Sequence, residues 1–243
     1  MPDLTILHTN DLHGKLSNCA AETVAREKSS IGRCLLLDAG DAISSGNIYY
    51  RPGGEPMLAR MSDLGYDAMA MGNREFHFLA AGLKSKVKLA GFPILSANLR
   101  SKGLDIPPGV LPFVVKELEG IRVAVFGLSM PMITKRMIVS KVSPVWFEDP
   151  IQAAGEVVPD LRKQADLVIA LTHIGLQADV ELAASVPGID LIVGGHSHAV
   201  LEEPQVVGDT AIVQAGCWGR CLGKVEIEMG QSSIRGKILD IGC

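Results

Sequence analysis

Short apolar runs alternate with amphipathic stretches along most of the chain. These runs lie at residues 4–7, 34–37, 68–71, 93–98, 123–128, 167–172 and 190–195. Apolar segments of this length predict strands buried on both faces, as in a mainly parallel sheet. Residues 55–65 and 149–158 predict intervening helices, because each has a proline in its first turn and Asp149 is a good N-cap. The alternation is typical of an α/β protein.

The pattern changes after about Glu203. Shorter alternating runs at 205–214, 222–229 and 233–241 are separated by glycine and polar turns, which predicts an antiparallel meander. No low-complexity linker and no internal repeat interrupts the chain. We therefore expect residues 1–243 to form a single domain.

Polar side chains that can bind metals follow the predicted strands repeatedly. They are Asp11, His13, Asp41, Asn73, His173, His196 and His198. In open α/β sheets, ligands bind beyond the carboxyl ends of the strands, so such residues converge without being close in sequence. Each alone is weak evidence, because a lone histidine at a strand end is more often a hydrogen-bonded core imidazole. Their shared position predicts a joint metal site.

The donor types indicate which ions this site binds. Two carboxylates, one amide oxygen and four imidazoles are too many for one tetrahedral zinc ion, and no thiolate is among them. The set fits two divalent ions bridged by a carboxylate, and Mn, Fe, Zn and Co are all compatible. Two such ions would leave a net charge of about +2, which suits a phosphate dianion, and would acidify a bridging water into a nucleophile. The expected chemistry is the hydrolysis of phosphate esters.

Several motifs carry a resemblance to a known family. They are NDLHG at 10–14, LLLDAGD at 35–41, GNREF at 72–76, SANL at 96–99, ALTHIG at 170–175, IDLIVGGHSH at 189–198 and QAGCWGRCLG at 214–223. Their order and spacing over nearly the whole chain resemble the calcineurin-like metallophosphoesterases, in particular the catalytic domain of the 5′-nucleotidase branch. The resemblance implies two mixed β-sheets packed as a sandwich with flanking helices, a four-layer α/β/β/α fold.

The resemblance also implies how the ligands are shared between the ions. Asp11, His13, Asp41 and His198 would hold one metal ion, and Asp41, Asn73, His173 and His196 the other. Asp41 would then be the bridging carboxylate, and Asn73 would also contact the substrate.

Two residues depart from the family pattern, in which a histidine and an aspartate assist the leaving group. Here the corresponding residues are Arg74 and His77. Arginine keeps its proton and cannot act as a general acid, but its fork can bind phosphoryl oxygens, so Arg74 is a candidate catalytic and substrate-binding residue. His77 could face the same substrate one turn later if residues 75–83 open a helix. The alternative for His77 is a partly exposed helix residue with no role.

The nucleotidases that the chain resembles carry a further C-terminal domain that holds the base, and this chain ends at Cys243. We therefore expect a catalytic domain alone, acting on small phosphorylated substrates without a strong nucleotide preference. Tyr49, Tyr50 and Trp218 are expected to pack or to lie on the surface rather than to stack a base. A true 5′-nucleotidase, a cyclic phosphodiesterase and a non-catalytic scaffold for a protein partner remain alternatives.

Composition excludes some classes of binding partner. The net charge of −4 and the pI near 5.9 argue against attraction to nucleic acid. The longest apolar run, 123–133, is shorter than the ~18–20 residues that span a bilayer, so no membrane segment is expected. The five cysteines do not form a disulfide framework by spacing, and the N-terminus lacks a leader pattern. A cytoplasmic location is the expectation.

Overall fold

Strands supply most of the buried core, and they form where the apolar runs predict them. The computed structural model describes residues 2–103, 109–231 and 233–242. Its strands, in chain order, are β1 (Leu4–Thr9), β2 (Cys34–Asp38), β3 (Ala68–Ala70), β4 (Ile94–Leu95), β5 (Leu99–Ser101), β6 (Val110–Leu111), β7 (Phe113–Leu118), β8 (Ile121–Ser129), β9 (Val145–Phe147), β10 (Leu167–His173), β11 (Leu191–Val193), β12 (Gln205–Val207), β13 (Thr210–Val213), β14 (Cys221–Glu228) and β15 (Ser233–Asp240). Each predicted apolar run contains or overlaps one of them.

The helices flank these strands. They are α1 (Asn18–Ser29), α2 (Pro56–Asp63), α3 (Ala80–Val87), α4 (Pro150–Gln164) and α5 (Leu176–Ser185), with short 3-10 helices at Ile138–Lys141 and Met229–Gln231. Both predicted helices are confirmed. The Asp149 side chain caps α4 by accepting a hydrogen bond of 2.9 Å from the Gln152 backbone N–H, and Pro150 is the first helical residue.

The strands form two large mixed sheets instead of the mainly parallel sheet that the apolar runs predicted. The first has the order β15-β14-β1-β2-β3-β4-β6, and the second β12-β13-β11-β10-β8-β7. In the first, β1, β2, β3, β4 and β6 pair in parallel while β14 and β15 add antiparallel strands at one edge. In the second, β8, β10, β11 and β13 are parallel, with antiparallel β7 and β12 at the edges. Strands β5 and β9 form a separate antiparallel pair.

Alternation of side chains along each strand produces the four layers. Ile6 of β1 packs with Val125 and Ile169 of the second sheet in a buried layer between the sheets. The next residue, Leu7, points the other way and packs with residues of α1, α2 and α3. On the far side, Phe126 packs with α4 and α5. The α/β/β/α sandwich that the resemblance implied is therefore confirmed.

Two local expectations are wrong. Residues 205–241 do not form one meander, because β12 and β13 join the second sheet while β14 and β15 join the first. Alternating apolar residues mark a strand with one buried face but do not say which sheet that face covers. The segment 75–83 does not open a helix at its start, because α3 begins at Ala80. His77 therefore precedes the helix.

Two further features complete the description. Cys19 is disulfide-bonded, which the cysteine spacing did not predict, whereas Cys34, Cys217 and Cys221 carry free thiols. Within the described ranges, the helices are all too short or too polar to span a bilayer.

Candidate metal centre

The expected ligands lie at one end of the sandwich, where strands of both sheets end. Asp11 and His13 follow β1, Asp41 follows β2, Asn73 follows β3, His173 ends β10, and His196 and His198 follow β11. In the described part of the chain, donor atoms within 4.8 Å of one another form two groups, Asp11 with His13 and His198, and Asp11 with Asp41 and His173. The two groups bring together five of the seven expected ligands, Asp11, His13, Asp41, His173 and His198, and do not include His196. Asp11 is common to both groups, so the choice of Asp41 as the shared ligand stays a prediction.

The first group surrounds a small space with nitrogen and oxygen atoms. The Nε2 atoms of His13 and His198 are 3.0 Å apart, and they lie 3.8 and 3.4 Å from Asp11 Oδ1. In the second group, His173 Nε2 lies 3.5 Å from Asp41 Oδ1. The His196 ring meets the His173 ring edge to face, with centroids 5.1 Å apart.

Several donor atoms of this cluster have no hydrogen-bond partner although they are buried. They are Asp11 Oδ1, Asn73 Oδ1 and His173 Nε2. An unsatisfied buried polar atom costs about 1–3 kcal/mol, and native proteins contain few of them. Asp11 and His173 belong to the same group of candidate ligands, and Asn73 lies in the loop after β3. All three orphaned atoms are of types that ligate divalent ions, which fits a metal site.

Hydrogen bonds elsewhere on the same side chains leave these atoms free. Asp11 Oδ2 accepts from the Asn10 side-chain amide at 2.8 Å and from the His196 backbone N–H at 2.9 Å, which turns Oδ1 toward the histidines. His173 Nδ1 lies 2.7 Å from the Ala39 carbonyl oxygen. Since a carbonyl only accepts, Nδ1 carries the proton and the lone pair of neutral His173 is on Nε2. Such outer contacts are the usual means of orienting metal ligands.

The backbone at the ligands has an uncommon conformation. Five of the seven expected ligands have positive φ angles, namely Asp11 at 52°, His13 at 49°, Asp41 at 57°, His196 at 73° and His198 at 56°. Left-handed conformations are rare outside glycine and cost about 1–3 kcal/mol when the surroundings impose them. All five residues lie in the loops that follow β1, β2 and β11, so the uncommon backbone conformation is concentrated at the candidate ligands.

Glu75 is a supporting residue to which sequence reasoning assigned no role. Its buried carboxylate accepts hydrogen bonds from the backbone N–H groups of Asp41 at 2.9 Å, Ile43 at 3.2 Å and Gly72 at 3.0 Å. Burial, reinforced by the charge of Asp41, raises the pKa of Glu75 to about 7. A three-way acceptor of this kind ties the loop after β2 to the loop after β3. Its place in the GNREF motif was the only available signal.

Electrostatics at Asp41 and His173 favour a bound positive charge. Burial alone would raise the pKa of Asp41, but the nearby His173 ring, with Nε2 3.5 Å away, and the Arg74 backbone N–H outweigh it, and the pKa of Asp41 is lowered. Burial works against a proton on His173, yet Asp41 and then Asp11 raise the pKa of His173 to about 9. The same carboxylates attract any cation to this place.

Arg74 lies directly against this cluster. Its backbone N–H donates to Asp41 Oδ1 at 2.7 Å, its Nη1 donates to the Ser44 carbonyl at 2.8 Å, and its Nε lies 3.6 Å from Asp41 Oδ2. One third of the side chain is exposed, so part of the guanidinium faces solvent beside the candidate ligands. This placement agrees with a cation that contacts an anionic substrate.

His77 is placed differently. It is only 2% exposed, its Nδ1 accepts from the Leu79 backbone N–H at 3.0 Å, and its Nε2 lies 3.3 Å from the Ile48 carbonyl oxygen. The ring stacks on Phe78 and meets Tyr50 edge to face. Both ring nitrogens are therefore engaged within the fold, and the groups of candidate ligands do not include His77.

Lys86 is a second supporting residue, and a lysine inside a helix gave no sequence signal for it. It is fully buried on α3, and its ammonium donates to the Gly46 carbonyl at 2.8 Å and to the Arg74 carbonyl. Burial lowers the pKa of Lys86. The contacts join the loop at 44–54 to the segment that carries Arg74.

Comparisons with known proteins identify the relatives of this chain. The sequence model of the calcineurin-like phosphoesterase family matches residues 4–200. A 5′-nucleotidase of Vibrio cholerae is 34% identical over 269 residues, covering 93% of this chain and 48% of the relative. The trifunctional nucleotide phosphoesterase protein YfkN of Bacillus subtilis is 33% identical over 276 residues, covering 96% of this chain and 18% of the relative.

The solved structures show the same fold. The 5′-nucleotidase precursor of Thermus thermophilus superposes with a TM-score of 0.79 at 29% identity, over 98% of this chain and 54% of that protein. This chain therefore spans about half the length, or less, of these relatives. The family match over most of the sequence and the shared sandwich lead to one conclusion: the chain belongs to the calcineurin-like phosphoesterase family.

Proposed function

We propose that this chain is a hydrolase of phosphate esters that uses two divalent metal ions. The observation that carries the proposal is the set of buried, unpartnered donor atoms on Asp11, Asn73 and His173 at the carboxyl ends of β1, β3 and β10. The names of the relatives, a phosphoesterase and 5′-nucleotidases, point to the same reaction class.

The proposed ligands divide into two sets. Asp11, His13, Asp41 and His198 hold one ion, and Asp41, Asn73, His173 and His196 hold the other. Divalent ions, when bound here, supply acidified water and neutralise charge on a phosphoryl group. The chain's own contribution is rigidity, because Asn10, Ala39 and Glu75 fix the ligands through hydrogen bonds.

Arg74 is proposed to bind the phosphoryl oxygens. Its guanidinium is already held by Asp41 and Ser44, so little conformational entropy is lost when a substrate arrives. A charge that acts on the phosphoryl group helps every phosphate ester to a similar degree. For His77, the geometry supports a role in holding the loop at 46–50 against α3, and no residue is assigned as general acid.

The substrate class is proposed only as small phosphate esters. Selectivity for a nucleotide is tested by comparing kcat/KM for AMP, GMP and 4-nitrophenyl phosphate. We expect no large preference. A preference of a hundredfold or more for one nucleotide, which is about 2.7 kcal/mol of transition-state binding, would instead support a true 5′-nucleotidase.

The decisive experiment combines metal analysis with an activity screen. The full chain is loaded with Mn²⁺, its metal content is measured, and turnover of aryl phosphate mono- and diesters is recorded. We expect close to two ions per chain and hydrolysis that EDTA abolishes. Asp41→Asn should lose both properties. Asp166→Asn is the matched control, because Asp166 pairs with Arg122 on the surface just before β10, at the opposite end of that strand from His173.

The outcomes separate the alternatives. One ion or fewer per loaded chain would refute the two-metal assignment. Two bound ions without turnover of any ester would favour the non-catalytic scaffold over the enzyme.

A further inference from the structure

The rim of the metal centre next to His198 carries a partly exposed tryptophan. The Trp218 ring is 37% exposed, and its centroid lies 6.3 Å from that of His198 in an edge-to-face arrangement. From the sequence, packing or surface contact was the expected role of Trp218. The structure instead places it beside a proposed metal ligand.

Two cations lie over this tryptophan. Lys15 Nζ is 4.7 Å from the ring centroid, and Arg220 Cζ is 4.8 Å from it. Both distances are within the range of cation–π attraction. Lys15 and Arg220 are exposed, and no described carboxylate forms a salt bridge with either of them. Their charges are therefore available to an anion.

The arrangement is fixed to the metal centre through the backbone. The Trp218 N–H donates to the Asp11 carbonyl at 2.8 Å, and Trp218 itself has a φ of 64°. The neighbouring Gly219 lies so close to the turn at 13–16 that a Cβ on it would be 2.9 Å from the Lys15 carbonyl oxygen. The turn that carries Trp218 and the turn that carries His13 consequently form one unit.

A phosphoryl group at the centre does not need these two cations, because the ions and Arg74 already supply its positive surroundings. The positive charge of Lys15 and Arg220 instead lies over Trp218, next to the histidine pair. We propose that Lys15 and Arg220, held on Trp218, bind a second anionic group on the leaving part of the substrate. The preferred substrate would then be a phosphate ester whose leaving group carries a carboxylate or a further phosphate.

This inference rests on the proposed function and deepens it. A neutral aromatic group stacked on Trp218 is the competing use of the same ring. The cations disfavour that use, because a base would have to displace Lys15 or Arg220 from the ring and would offer them no charge in return.

Binding of non-hydrolysable ligands tests the proposal without turnover. Phenylphosphonate, 4-carboxyphenylphosphonate and 1,4-phenylenebisphosphonate are titrated by calorimetry into the Mn²⁺-loaded full chain. Both ligands with a second anion should bind about tenfold tighter than phenylphosphonate at low salt. Comparing the affinities of 4-carboxyphenylphosphonate and 1,4-phenylenebisphosphonate distinguishes a preference for a carboxylate from a preference for a second phosphate. The advantage should shrink at 0.5 M KCl, because charges this exposed are screened.

Variants assign the effect to the named residues. Lys15→Gln and Arg220→Gln should each reduce the advantage about threefold, and the double variant should remove it, while phenylphosphonate binding stays unchanged. Lys15→Arg should retain the advantage. Trp218→Leu should reduce the affinity advantage, because it removes the ring that positions the two cations, and Trp218→Phe should retain most of the advantage. Lys163→Gln is the charge-matched control, because Lys163 pairs with Asp160 near the end of α4, remote from the strand ends that carry the ligands.

The results that overturn the proposal are specific. Equal affinity for all three ligands, failure of all three to bind, or an advantage that survives in the double variant each refutes it. If a phenylphosphonate with an uncharged 4-substituent bound more tightly than the two ligands with a second anion, Trp218 would serve as an aromatic platform. That result would also refute the proposal. A protein that shows the predicted advantage yet turns over no aryl phosphate would support the second-anion site while contradicting the proposed hydrolysis.

Discussion

Replacing Gly72 with alanine is expected to disable the metal centre by a purely steric effect. A Cβ on Gly72 would lie 2.8 Å from Glu75 Oε2 and closer still to the backbone nitrogen and Oδ1 of Asp41. Gly72 is not among the residues with positive φ, so its backbone conformation itself accepts alanine. The neighbours are a main-chain nitrogen and two buried carboxylates, those of Asp41 and Glu75, and none of them can rotate away as the end of a flexible surface side chain would.

The size of the effect follows from what has to move. Overpacking of a dense interior costs about 1–3 kcal/mol in the free energy of unfolding. Displacement of Glu75 also strains its hydrogen bonds to Asp41, Ile43 and Gly72, and loss of such outer support lowers metal affinity about 10- to 100-fold. Gly155→Ala is the control, because Gly155 lies inside α4 with no atom within 4 Å of the added Cβ. It should stabilise the protein by about 0.5–1 kcal/mol.

Urea denaturation and metal titration of both variants measure these quantities. The expected pattern is a destabilised Gly72→Ala with weakened Mn²⁺ binding, and a Gly155→Ala with binding equal to the parent. A Gly72→Ala protein that binds Mn²⁺ with parental affinity would show that the loop after β3 yields easily. The rigidity attributed to the ligands would then be wrong.

Three further outcomes are expected. Burial lowers the pKa of His8 from 6.5 to about 4, so the unfolded chain binds more protons than the folded chain between these pH values. The free energy of unfolding therefore falls as the pH drops through this window, by about 2 kcal/mol at pH 5 relative to neutral pH. Urea melts of the parent and His8→Gln at pH 5 and 7.5 check this, and a pH-independent difference between them would contradict it. Lys86→Met should lower the free energy of unfolding by about 2 kcal/mol or more, because it leaves the Gly46 and Arg74 carbonyls unpaired, and thermal melts should show it. Arg74→Ala should slow the hydrolysis of aryl phosphates by about 10²-fold whatever the pKa of the leaving group. His77→Ala should leave the slope of a Brønsted plot, log rate against leaving-group pKa, unchanged. A steeper slope in His77→Ala would instead identify His77 as the general acid.

The approach of the candidate ligands to one another was predictable because its signal is local. A polar residue directly after a buried apolar run, with a glycine beside it, marks the carboxyl end of a strand, and parallel strands bring such ends together. That reasoning found Asp11, Asp41 and His173 without any knowledge of the pairing of the strands. The same reasoning could not predict which sheet β14 joins. That choice depends on which apolar surface the strand packs against, and this is decided only when the layers assemble.

The supporting residues were not predictable for a related reason. Lys86 and Glu75 act through hydrogen bonds to main-chain atoms of other loops, and a side chain's partner on a distant loop leaves no trace in local periodicity. The role proposed for Trp218 depends on its contact with Lys15, which lies some two hundred positions away in the sequence. For His77, local spacing was misleading. Its position three residues after Arg74 suggested that both face the same substrate from one helix, but α3 begins three residues after His77.

Bound metal ions would offset the local strain at one end of the fold. Asp11, Asp41 and His196 have left-handed backbone there, and the buried Asp11 Oδ1 lacks a hydrogen-bond partner. A chain selected for stability alone would relax such positions, because each costs about 1–3 kcal/mol. The two sheets hold these residues in place, and the two proposed cations, when bound, would stabilise the fold by satisfying the orphaned atoms on Asp11, Asn73 and His173. Metal removal should therefore lower the stability of the loops at the strand ends before that of the sandwich, and hydrogen exchange at residues 10–14 and 194–198 should report it first.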